Sequence, residues 1–211
     1  MTIRRRNGIG LSLLLVVAAA ACGGHDRAQS GPTTTTTSIP ASPDGQTRPP
    51  AKSLDLAPIY GAQLARLGLR LTDRGGLIDV SGDGYAPSPN GTHLALYVEP
   101  IGTRTVAQYI EGIRAVPLVF ADLFRRWPSL ESYDVCQEPI GTDGTTAAEP
   151  VPVTQIALTK AQAGAIEWSS ITVADLVKAA HTDPPGVGLS VDPTLSAEPA
   201  FTKIVHEALG T

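Results

Sequence analysis

Residues 133–139, Tyr-Asp-Val-Cys-Gln-Glu-Pro, hold the densest group of chemically capable side chains in the folded part of this chain. Side chains alternate along a strand, so Asp134, Cys136 and Glu138 are expected on one side and Tyr133, Val135 and Gln137 on the other. A thiol between two carboxylates is disfavoured as thiolate, which makes Cys136 a half-buried structural cysteine rather than a nucleophile. A cysteine nucleophile would also need a base, and His93 or His181 could in principle supply one. Nothing in the spacing brings either near. The same carboxylates, with His93 and Glu99, are the set from which an acid/base pair for a hydrolase or transferase could be drawn.

A second string, Asp79-Val80-Ser81-Gly82-Asp83-Gly84, fits the first half of a calcium loop, with oxygen ligands at alternate positions and a glycine for the sharp turn. The second half fails, because Asn90 stands where a bidentate glutamate is needed and Pro87 and Pro89 oppose an exit helix. Asp79, Ser81 and Asp83 are therefore weak metal candidates, and an acidic hairpin loop is the expectation. No nucleophile elbow, phosphate-cradling glycine loop or paired-histidine zinc motif is present, and no cofactor is expected. Trp127 and Trp168 are expected in the core or at its rim, although together they could line an apolar pocket.

The elements that must position these residues follow from periodicity. A helix is expected over 56–68, with Pro58 in its first turn and Gly68 as its C-terminal cap. Two short strands, 69–71 and 77–80, flank a turn at Asp73-Arg74-Gly75-Gly76. Residues 92–99 alternate with a period of two, Leu94, Leu96 and Val98 against His93, Ala95, Tyr97 and Glu99. Apolar residues recur at three and four over 106–127, an amphipathic helix that Pro117 must kink or divide. Strands are expected at 133–138 and 153–159, a glycine and threonine loop between them up to about 150, and a helix over 171–181 that Thr172 and Asp175 begin as a capping box. An irregular stretch, 184–193, precedes a closing helix at about 196–209. Several strands are joined by connections too short for a crossover helix, which points to an α+β domain, an antiparallel sheet with helices packed on one face.

The N-terminal residues say where such a domain is held. Arg4, Arg5 and Arg6 precede an apolar run that ends in Ala20-Ala21-Cys22, followed by Gly23-Gly24. A charged start, a short apolar region and small residues before a cut are the layout of an export signal, and the run is shorter than the roughly 20 residues of a membrane span. With the cysteine at the cut, residues 1–21 resemble the signal peptide and lipobox of bacterial lipoproteins, with Ala19 standing where that pattern most often has leucine. The resemblance implies cleavage before Cys22, a diacylglyceryl group on its thiol and often a further acyl group on the new amino terminus. Two acyl chains suffice for stable anchoring.

Loss of residues 1–21 would leave 13 basic against 20 acidic residues, a net charge of −7. That balance, without a Lys/Arg cluster, argues against nucleic acid as partner. Residues 22–53 carry Thr33 to Thr37 in an unbroken run and five prolines, a composition that cannot bury enough surface to order itself. They are expected to be a disordered tether that reaches on the order of 90 Å if polyproline-like, and residues 54–211 a single globular domain. The alanine, glycine and proline content with a threonine tether resembles lipoproteins of actinobacteria. The expected function is that of a lipid-anchored protein on the exported face of the cell membrane, a non-enzymatic binding or accessory module for a hydrophobic ligand or another envelope protein. The alternatives are an envelope hydrolase or transferase and a purely structural surface protein.

Overall fold

The computed structural model describes residues 49–79, 86–88, 90–139 and 152–211. The signal segment, Cys22, the tether up to residue 48, Ser81, Asp83 and the glycine and threonine loop lie outside the described residues.

In chain order, a 3₁₀ turn Ser53–Leu56 leads into α1 (Ala57–Arg66), then β1 (Leu69–Asp79), β2 (Ala86–Pro87), β3 (His93–Pro100), α2 (Val106–Val119), α3 (Leu123–Arg126), β4 (Ser132–Gln137), β5 (Thr154–Thr159), α4 (Lys160–Ala165), α5 (Val173–Ala180), β6 (Gly188–Val191), α6 (Pro193–Ser196) and α7 (Pro199–Leu209). The strands form one six-stranded sheet in the order β2-β1-β3-β4-β5-β6. The α+β architecture is as expected, and four of the five strand pairings are antiparallel. The fifth, β3 with β4, is parallel, because α2 and α3 intervene and carry the chain back to the starting end of the sheet.

Alternation sorts the sheet into two faces. Leu94, Leu96 and Val98 of β3, Tyr133 and Val135 of β4, and Ile156 and Leu158 of β5 join the main core, where they meet Tyr60 and Leu64 of α1, Ile110, Ile113 and Val116 of α2, Leu176 and Val177 of α5, and Phe201 of α7. Ala95, Tyr97 and Cys136, with Ile78 against them, form a separate small cluster on the opposite face. Trp127 is buried in the core and Trp168 sits half-buried at its rim.

The expected turn at 73–76 is instead part of one continuous strand. Leu71 pairs with Val98 and Gly75 with Leu96, so three residues of β1 face the single residue Tyr97. The excess, Thr72 to Arg74, bulges out, and the chain rejoins the ladder through Gly75 at φ 75° and Gly76 at φ 134°, a region open to glycine and strained for other residues. Proline also acts later than expected. Helix α2 runs through Pro117 to Val119 before α3 begins at Leu123, since a proline in the last turn removes one helical bond close to where the helix ends anyway. β6 falls within the stretch read as irregular, and α4 has no counterpart in the sequence reading.

The capping box of α5 is present: Thr172 Oγ1 accepts from the Asp175 backbone N–H at 3.1 Å, and the Thr172 N–H donates to Asp175 Oδ2 at 3.0 Å. The Thr172 hydroxyl donates to the same carboxylate and is the main reason its pKa lies below the usual range. The bonded form is thus fully present at neutral pH and is lost as pH falls through that lowered value. Thr172→Ala should lower stability by about 1 kcal/mol at pH 7, with a smaller loss once the pH is low enough to protonate Asp175 in the folded protein, read as the shift in urea midpoint across a pH series.

Candidate functional site

The face of the sheet away from the helices is where the chemically capable residues gather. In the β3–β4 register His93 lies opposite Ser132, Ala95 opposite Asp134 and Tyr97 opposite Cys136. Period-two alternation then puts His93, Ser132, Asp134, Cys136 and, from β5, Gln155 on this one face. His93 and Asp134 are 8% and 6% exposed, and Cys136 is fully buried.

Around His93 the bonding is specific. Its Nδ1 lies 2.8 Å from Ser132 Oγ, and its Nε2 lies 3.3 Å from Asp134 Oδ1. The second carboxylate oxygen, Oδ2, accepts from Gln155 Nε2 at 2.5 Å. An ionised carboxylate can only accept, so in the neutral imidazole the contact with Asp134 selects the tautomer with its proton on Nε2. Nδ1 is then left as a lone pair, and the Ser132 hydroxyl must be the donor to it.

Toward the other end of the same face, Arg74 from the β1 bulge pairs with Glu138, whose side chain is fully buried while that of Arg74 keeps 26% exposure. The guanidinium lies 4.8 Å from the centre of the Tyr97 ring, within range of a cation–π contact. Glu99 is engaged elsewhere, with Arg70 Nη2 at 2.5 Å on the rim of the sheet.

Asp134, Cys136 and Glu138 do share a side, as alternation required. They do not act on one another as a unit: Asp134 belongs to the His93 group and Glu138 to the Arg74 group. Cys136 is four residues along β4 from Ser132, the residue opposite His93, a separation of roughly 13 Å. His181 lies at the end of α5, where its Nδ1 is 2.8 Å from the Val177 carbonyl. Asp79 closes β1, and among the described residues no three His, Cys, Asp or Glu side chains are placed to hold a metal ion.

Ser132, Gln155 and Arg74 were not among the expected site residues. Ser132 was within reach, since it stands two before Asp134 and must share its face once 132 is included in the strand. Gln155 and Arg74 depend on the β4–β5 register and on the β1 bulge, neither of which leaves a periodic trace in the sequence.

On the core side, α2 closes onto the sheet around Gly112, Val116, Gln137 and Ile156 and leaves no room there for even a water-sized molecule. Ligand pockets run to roughly 300–1,000 Å³. No helix among the described residues is long and apolar enough to cross a membrane.

No family model, curated protein or solved structure matches this chain. What the site can do chemically rests on its own geometry: a buried carboxylate–imidazole pair that, in the neutral form of the imidazole, presents a lone pair to a partly exposed serine hydroxyl.

Proposed function

We infer that this protein is a lipid-anchored envelope protein, carried on acyl chains at Cys22 and holding its α+β domain off the membrane on the tether that follows Cys22. The observation that carries this reading is the apolar run that ends in Ala20-Ala21-Cys22 behind three arginines. Expressed from its full sequence in a bacterial host fed an alkyne fatty acid, the protein should take up label and sediment with membranes. Cys22→Ala should lose the label entirely. Label retained in that variant would end the lipoprotein reading.

For the domain, the reading is a binding or accessory module. The packed space beneath α2 favours a partner met at the surface, such as another envelope protein, over a hydrophobic small molecule held inside. Native mass spectrometry of the mature protein would test this: a mass released by denaturation supports an interior ligand, and crosslinking to a defined envelope protein supports a surface partner.

A second reading, an envelope hydrolase or transferase, is favoured by one specific observation. His93 and Asp134, two of the residues from which an acid/base pair could be drawn, are in contact and nearly buried. A carboxylate in contact with a histidine is the arrangement that orients a general base. Turnover unchanged by loss of both side chains would remove the support this contact gives.

A further inference from the structure

We propose that Ser132 is a nucleophile toward carboxylic esters, with His93 as its general base and Asp134 as the group that orients the base. This deepens the hydrolase reading and rests on it. Three features of the site carry the proposal.

The first is proton direction. With His93 neutral and its proton on Nε2 toward Asp134, the Ser132 hydroxyl is the donor to Nδ1 across 2.8 Å, so it already contacts the atom that must take its proton. The imidazole uses its two nitrogens in the opposite sense to the chymotrypsin arrangement, and the proton arithmetic is the same. The second is that the base is locked. Asp134 is held at its far oxygen by Gln155, and His93 and Asp134 are both nearly buried, which limits ring rotation and competition from water. The third is access, since Ser132, at the start of β4, is the most exposed of the three.

The chemistry balances without a cofactor. Ser132 Oγ attacks the ester carbonyl carbon as its proton passes to His93 Nδ1. The carbon–oxygen bond to the leaving alcohol breaks, and that oxygen takes the proton back from Nδ1. Water then attacks the acyl-serine, giving up one proton through the same nitrogen to Ser132 Oγ, so that one ester and one water become one acid and one alcohol.

Asp134→Asn gives a test that packing alone would not move. Gln155 donates to Oδ2, so the asparagine is held with its carbonyl toward Gln155 and its NH₂ toward His93. Nε2 must then accept, the proton moves to Nδ1, and the serine loses its base. The mature protein would be treated with a fluorophosphonate probe, which phosphonylates activated serines, and assayed in parallel for p-nitrophenyl acetate turnover. The expected result is a single adduct on Ser132, absent in Ser132→Ala and formed at least ~100-fold more slowly in His93→Gln and in Asp134→Asn, with melting temperatures close to that of the unaltered protein. Ester turnover that persists in Ser132→Ala but is lost in His93→Gln would overturn Ser132 as the nucleophile and leave the hydrolase reading standing. Neither adduct nor turnover would overturn both.

Discussion

Replacing Arg74 with methionine should destabilise the domain by about 3 kcal/mol, the low end of what removal of one partner from a buried ion pair costs. Glu138 is the reason for the size of the effect, since its side chain has no exposure and Arg74 is the cation against it. Desolvating a carboxylate is expensive, and the Coulombic attraction of a nearby cation offsets much of that expense only while the cation remains. The low end applies because Arg74 is itself 26% exposed, so water reaches one side of the pair and screens it. Loss of the contact with the Tyr97 ring adds a smaller contribution, on the order of 1 kcal/mol. Arg74→Met combined with Glu138→Gln removes both charges together, and the double variant should be more stable than Arg74→Met alone. Urea denaturation of the four proteins in the cycle reads the coupling directly. A cost below about 1 kcal/mol for Arg74→Met, the level of an exposed pair, would mean that the other contacts of Glu138 satisfy its carboxylate without Arg74.

Arg74 also shows where the sequence stops being legible. Strands with strict alternation were readable: residues 92–99 announce which side chains point into the core, and those side chains do so. Capping boxes were readable too, as Thr172 and Asp175 show, because they depend on neighbours three residues apart. The β1 bulge was not. Asp73-Arg74-Gly75-Gly76 has the composition of a tight turn, and turn and bulge draw on the same property of glycine, positive φ. What decides between them is the strand alongside. β1 pairs with β3 on both sides of the glycines, a long-range fact without local signature. The site divides in the same way. Asp134 and Cys136 announced their common face by alternation, but His93 meets Asp134 only because β3 and β4 run parallel in one particular register. Shifting that register by one residue would send His93 to the wrong face. The parallel pairing itself follows from the long excursion through α2 and α3, so the helix read over 106–127 already implied a crossover. The short connections elsewhere in the chain favoured an antiparallel sheet and obscured it.

Gly112 in the middle of α2 makes the most discriminating case of packing against propensity. Alanine in a helix interior is favoured over glycine by about 1 kcal/mol, so on propensity alone Gly112→Ala should stabilise. The opposite is expected, a net loss of about 2 kcal/mol, for a reason that lies on β4. A methyl carbon at position 112 would sit 2.1 Å from Gln137 Oε1 and 2.7 Å from its Nε2. The end of a glutamine is ordinarily free to move aside, but this one is tied on every side. Its Nε2 donates to the Thr154 hydroxyl at 2.5 Å and to the Tyr109 carbonyl at 3.2 Å, and its Oε1 accepts from Arg104 Nη2 at 3.1 Å. Arg104 in turn reaches the Leu67 carbonyl at 2.9 Å, which links α1 to α2, and burial already lowers its pKa. Displacing the amide breaks bonds worth about 1 kcal/mol each and strands buried polar atoms at about 1–3 kcal/mol apiece, which together outweigh the helical gain. Gln137→Ala alone should cost about 2 kcal/mol through the same lost bonds. The two changes together should cost less than their sum by at least ~1 kcal/mol, since the space left by the amide is where the new methyl must go. Additive costs in that cycle would show that the steric conflict is relieved elsewhere, by movement of α2 away from the sheet.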